Sequence, residues 1–208
     1  MPISSFIFQR SSKRQAGSGQ TRLLFLVALI SLIASLAPLR SVAAQVSDTD
    51  TGREVMVDYI VHFAHHVQWP IEVFNGTGAP FRMCLMGEVE VAAPLEKRMH
   101  HRRIQGRMVA VEKISKGEIM RARGCQIVVM GGMDHASLVE VVTALEFFPV
   151  LTISDESRFA VLGGMIEFAG SGASMALQLN KTRLDRAELK VGSSLFRLSR
   201  QVSLEGRP

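Results

Sequence analysis

Acidic residues are missing from the first 44 positions of this chain, while Arg10, Lys13, Arg14, Arg22 and Arg40 all fall there. Cysteine is almost absent: Cys84 and Cys125 are the only two in 208 residues. The apolar run Leu23–Ala37 stops at Pro38 after 15 residues, short of the roughly 20 that a membrane-spanning helix needs. No cysteine stands directly after that run, among the small residues Ser41–Ala44, which argues against the lipid attachment of a lipoprotein. Neither cysteine has a second cysteine or a histidine at ligand spacing, so a thiolate metal site is a poor reading. No internal repeat and no interior linker interrupts the remainder.

What stands at the N-terminus is a basic stretch, an apolar stretch and then the small residues Ser41-Val42-Ala43-Ala44. That order is the layout of a secretory signal, with cleavage after Ala44 expected; an uncleaved anchor is the alternative. Removing residues 1–44 takes five of the 24 basic residues and leaves 19 to face 19 acidic ones. The high pI therefore belongs to the targeting segment, and the mature chain has no overall basic footprint for nucleic acid. About 164 residues remain, enough for one domain with a real core. The expected organisation is a signal peptide over 1–44, a flexible lead-in over 45–52 and a single α/β domain over 53–203.

The two cysteines sit in apolar, strand-like runs bound for an oxidising compartment. An even pair there favours a structural disulfide; two buried thiols are the other reading. Around them the pattern alternates between helix and strand. Val55, Tyr59, Phe63 and Val67 recur at four-residue steps, with Met56 and Ile60 beside them, which predicts a helix over 53–68 ended by Trp69-Pro70. Strands are expected over 81–86, 107–114, 125–130 and 150–153, and helices over 89–99, 115–123 and 134–145, the last capped by Asp134. The 125–130 run is apolar without alternation, as in parallel strands covered on both faces. Residues 148–168 read as a strand, a turn at Ser154-Asp155 and a second strand. Residues 164–169 and 174–179 flank Gly170-Ser171-Gly172 and predict an antiparallel hairpin at the sheet edge. A final helix is expected from Asn180 through Leu184, Ala187, Val191, Leu195, Leu198 and Val202. The fold class is thus a three-layer α/β architecture, with a mostly parallel sheet, helices on both faces and an antiparallel C-terminal hairpin.

Several constellations could carry chemistry. Asp58, His62 and His66 share one helical stripe, and His100-His101-Arg102-Arg103 forms a basic cluster that could hold an anion. Two imidazoles one turn apart can bind a metal, but the glutamate of H-E-x-x-H is missing and a solvated helix face looks the same, so no metal site is assigned. Gly131-Gly132 ends a strand ahead of a helix, where open parallel sheets bind ligands. They fall far short of a dinucleotide fingerprint and are the candidate ligand residues of a small-molecule module. Asp155, Glu156 and Glu167 lie near one another, yet Ser154 lacks the G-x-S-x-G setting of a nucleophile. No cofactor and no catalytic residue are assigned.

In order along the chain come F-A-H-H-V-Q-W-P (Phe63–Pro70), F-R-M-C-L-M-G (Phe81–Gly87), I-Q-G-R (Ile104–Arg107), a strand opened by Cys125, P-V-L-T-I-S-D (Pro149–Asp155), F-A-V-L-G-G-M-I-E-F (Phe159–Phe168), a strand ending in Asn180, and a last segment with Leu189, Ser193, Ser194 and Leu195. This succession resembles the YfiR-like periplasmic regulators. The resemblance implies a periplasmic protein that binds the periplasmic domain of an inner-membrane partner, a diguanylate cyclase in the best-known members. It thereby represses cyclic di-GMP synthesis and biofilm formation without enzymatic turnover. It matches the Cys84–Cys125 pair, whereas a second disulfide found in some members has no counterpart. It places partner binding on Ser154, Asp155, Arg158, Gly163, Gly164 and Glu167, with Asp155 and Arg158 as exposed contacts, implies no nucleic acid, and is compatible with a homodimer.

Overall fold

The computed structural model describes residues 44–74, 76–170, 175–192 and 199–201. Residues 1–43 of the expected signal peptide, Ser171–Gly172 of the hairpin turn, and Ser193, Ser194 and Leu195 of the closing motif lie outside the described residues.

Thr49 opens the first helix, α1 (Asp50–His66), by accepting a hydrogen bond from the Gly52 amide, as a threonine cap does. The helix ends where Val67 turns extended ahead of Trp69-Pro70. Trp69 then anchors the exit, donating its indole N–H to the Gln126 carbonyl at 3.1 Å. The strands follow as β1 (Phe81–Gly87), β2 (Arg103–Ile104), β3 (Arg107–Ile114), β4 (Ile127–Gly131), β5 (Leu151–Ser154), β6 (Ile166–Ala169), β7 (Ala176–Leu179) and β8 (Ser199–Gln201). The further helices are α2 (Ala92–Met99), α3 (Ile119–Ala122), α4 (His135–Ala144), α5 (Phe159–Leu162) and α6 (Lys181–Arg186). The sheet runs β2-β3-β1-β4-β5-β6-β7-β8. β3, β1, β4, β5 and β6 are mutually parallel, and β6–β7 is the expected antiparallel hairpin, with Ile166 opposite Leu179.

The pleat sends alternate residues to opposite faces, and each face has its own core. Met83 and Leu85 of β1 join Ile127 and Val129 of β4 beneath Ile60 and Phe63 of α1, Leu95 of α2 and Leu184 of α6. Cys84 and Met86 join Val128 and Met130 on the other side, beneath Ala122, Leu138, Val141 and Phe159 of α3, α4 and α5. The three layers and the two-sided burial of the central strands thus agree with the apolar runs of the sequence. Cys84 and Cys125 are bonded, with Cα atoms 6.0 Å apart. The bond ties the centre of β1 to the segment leading into β4.

Four expectations about the elements need correction. Residues 46–52 are not a loose lead-in: Val46 and Ser47 are buried, and α1 already begins at Asp50. The 148–168 segment contains a helical turn, α5, between its two strands. The last helix stops at Arg186, because Glu188 takes a left-handed φ of 56° and Lys190 pairs with Gln68 in an antiparallel bridge. The chain then returns as β8, parallel to β7, so the hairpin is not the sheet edge.

Candidate functional site

The segment from β5 through α5 to β6 is built around polar side chains that have been turned inward. At the end of β5, the Ser154 hydroxyl donates to the Met130 carbonyl at 2.8 Å and accepts from the Glu156 amide at 3.0 Å. It is thereby used up in joining β5 to β4, and it has no hydrogen bond to a histidine or lysine among the described residues. Thr152 accepts from the Met165 amide at 3.0 Å, fixing the start of β6 against β5.

Asp155 was expected to be an exposed contact. It is instead buried, and its carboxylate accepts from the Ser47 amide at 2.9 Å. The N-terminal turn is thus pinned over the carboxyl end of the sheet. Its neighbour Glu156 reaches across to β4 and accepts from the Gly132 amide at 2.8 Å. Gly131 and Gly132, the candidate ligand residues, are crowded by the β1 exit: a Cβ on Gly131 would lie 2.6 Å from the Glu88 carbonyl oxygen, and Gly132 has a φ of +61°. The cavity there, between Ser47, Glu88, Gly131 and Asp155, measures about 10 Å³.

Glu167 faces back from β6 and accepts from the Arg158 amide at 3.1 Å and the Ala160 amide at 2.8 Å. Its carboxylate thus satisfies amides at the start of α5 that have no partner within the helix. Burial pushes the Glu167 carboxyl above its ordinary range, against the opposing pull of those two amides. Asn180, buried, closes the other side, donating to the Ala160 carbonyl at 2.9 Å while accepting from the Arg183 amide at 3.1 Å as the cap of α6.

The two glycines of the segment have different jobs. Gly163 ends α5 at a φ of +113°, a region costly for other residues. Gly164 has an ordinary backbone but lies against the Phe159 ring, so that any Cβ there would overlap ring carbons. Of the six residues expected to meet a partner, Ser154, Asp155, Gly163, Gly164 and Glu167 are buried, and only Arg158 is exposed. Arg158 holds a left-handed φ of 66° and stands next to exposed Ser157, with Val161 44% exposed one turn on. The polar network therefore acts as a frame that fixes a short outward ridge.

Sequence reasoning missed Ser47 and Glu156 as members of this frame. The amide that Asp155 binds lies 108 residues away in sequence, and no local pattern carries that signal. The stripe of Asp58, His62 and His66 stays on the surface of α1. Its aspartate is taken by Arg98, and the His62 and His66 rings lie 4.2 Å apart. Burial, together with the neighbouring imidazoles His66 and His65, holds His62 below its ordinary pKa. Among the described residues no group of three or more His, Cys, Asp or Glu could hold a metal ion, and no helix is long and apolar enough to cross a membrane.

A family model described as YfiR/HmsC-like matches residues 53–200. The match takes in α1 from Arg53 onward, the disulfide, the β5–α5–β6 segment and the hairpin.

Proposed function

The chain belongs to the YfiR/HmsC-like family, and from that premise we propose that it is a periplasmic regulator that binds and restrains an inner-membrane signalling protein. The partner fitting this reading best is a diguanylate cyclase, so that the protein lowers cyclic di-GMP and biofilm formation. Export follows from the basic and apolar N-terminal segment, read as a signal peptide over 1–44. The observation that carries the reading is the family match over a segment whose polar groups are spent on its own scaffold. Such a segment offers a fixed ridge at Ser157, Arg158 and Val161, with Ser154, Asp155 and Glu167 as the frame behind it. Sequestration of a partner needs a rigid, complementary surface and no turnover, and a guanidinium is among the side chains most often dominant in interfaces.

The alternative is a small-molecule module at Gly131 and Gly132. It is the weaker reading because Glu156 already takes the Gly132 amide and little space remains at the strand ends.

A photo-crosslinking residue at position 158, expressed in intact cells, tests the proposal. It should capture a membrane protein that carries a cyclase domain, while the same residue at position 116 should not. Capture of soluble proteins alone, or equal capture at both positions, would overturn the assignment of the surface.

A further inference from the structure

A second constellation lies at the opposite end of the sheet from Asp155. The chain passes from Ser47, over the carboxyl ends of the strands, through α1 (Asp50–His66) to Gln68 beside the amino ends, and α2 ends there too. A cavity of about 520 Å³ opens at this end, with His65, Arg98, His101, Arg102 and Arg103 in its lining and no carboxylate among the described residues that line it. Val61, Met99 and Ile104 supply its apolar part. An adjoining cavity of about 580 Å³ shares Arg98 and Arg102, adds Lys97 and His100, and has Glu54 as its one acidic residue. Five of the six histidines of the chain lie on α1 or just past α2: His62, His65 and His66 on α1, and His100 and His101 after α2. In a mature chain with balanced charge, this is a local concentration of cations.

The cations differ in how far they are engaged. Arg98 is held by Asp58 and by Glu54, the latter at 3.0 Å. Arg103 gives one nitrogen to the Gly106 carbonyl at 2.8 Å, which leaves the rest of its fork. The Arg102 side chain has no hydrogen bond or ion pair among the described residues. Its backbone, however, is fixed on both sides: its amide donates to the Met99 carbonyl and its carbonyl accepts from Val109, each at 3.0 Å. The turn between β2 and β3 is tied to the end of α1, since Gln105 donates to the Val67 carbonyl at 3.0 Å. His101 sits between α2 and β2 at a left-handed φ of 56°. A fixed backbone thus presents two adjacent guanidinium groups to a concavity whose acidic neighbours, Asp58 and Glu54, are engaged by Arg98.

Planar guanidinium forks match phosphate oxygens in pairs, and charge-assisted bonds of this kind are stronger than neutral ones. A cavity of a few hundred Å³ with an apolar part is also the usual size of a small-ligand cleft, whereas attraction to an anionic bilayer needs only outward-facing charge. We propose that this groove binds a small soluble phosphate-bearing molecule, its phosphate held by Arg102 and Arg103 with His65 and His101 as further donors. The site is separate from the ridge at Arg158 and would give the regulator a ligand input.

Calorimetric titration of the exported, processed protein with glycerol 3-phosphate and with inorganic phosphate tests this. One saturable site is expected, weakened about tenfold or more in Arg102→Ala and in Arg103→Ala, as loss of a charged hydrogen bond implies. Lys116→Ala, at the far end of β3, should bind as the unmodified protein does. Arg102 is exposed and its side chain holds nothing else in place, so that variant should keep the parent melting temperature. Absence of saturable binding, equal loss in Lys116→Ala, or full affinity in both arginine variants would overturn the proposal. Binding to phosphatidylglycerol vesicles without binding to either soluble phosphate would also overturn it and assign the cluster to the membrane surface.

Discussion

Gly164 and Phe159 illustrate how single residues set this frame. The Phe159 ring is fully buried, so it cannot swing aside to admit a side chain at 164. Gly164→Val should therefore lower stability by about 1–3 kcal/mol, as overpacking of a filled core does, and should shift the ridge that α5 carries. Urea unfolding of the variant checks this, and an unchanged midpoint with unchanged slope would contradict it. The same argument separates the two glycines. Gly163 is held by its φ and Gly164 by contact, and the sequence G-G alone does not distinguish them. Glu167, Asn180 and Asp155 make the complementary point. Each polar group is buried and each has a partner, as buried polar groups must. The family resemblance implied that Asp155 is an exposed contact. Only the long-range bond to Ser47 reveals it as part of the scaffold.

Among the elements, those with a cap or a full period were legible. Asp134 and Asn180 act as the caps their types imply, accepting from Ser137 and Arg183. The alternation of Leu177 and Leu179 with Ala176 and Gln178 matches the burial along β7. The β3 strand occupies the expected 107–114. What was not legible is short or decided at a distance. α5 has four residues, too few to show a helical stripe, and it is started by a left-handed Arg158. The stripe from Leu184 to Val202 pointed to a long helix, but Glu188 breaks it and the pairing of Gln68 with Lys190 fixes the break. Spacing by threes and fours could not anticipate that partner. The disulfide belongs to this scale, because it fastens β1 to the approach of β4 across a sequence separation of 41. Closing a loop of that size should contribute about 2–4 kcal/mol. The double variant Cys84→Ala, Cys125→Ala should lose that much in urea unfolding, and thiol titration of the denatured, unreduced parent should find no free thiol. Two titratable thiols would contradict the bond.

At the scale of the whole molecule, the two ends of the sheet carry different surfaces. The carboxyl end is closed by the N-terminal turn and by the side chains of Asp155 and Glu156, and it places Arg158 and Val161 outward beside it. The amino end opens into the cationic groove of Arg102 and Arg103. A protein arranged in this way is suited to holding one partner on a rigid ridge while sensing a second, smaller molecule elsewhere. The fold class and the family were readable from the order of motifs along the chain. The division of labour between scaffold and surface was not, since it depends on which polar groups turn inward. On the proposed reading the protein restrains a membrane cyclase through the ridge. Cyclic di-GMP measured in a strain lacking the gene tests it most directly, with the deletion complemented by the parent or by Arg158→Glu. The level should rise on deletion, return with the parent and stay raised with Arg158→Glu, provided the variant accumulates to the parent level in the periplasm. An unchanged cyclic di-GMP level in the deletion strain, under conditions where the protein is made, would contradict it.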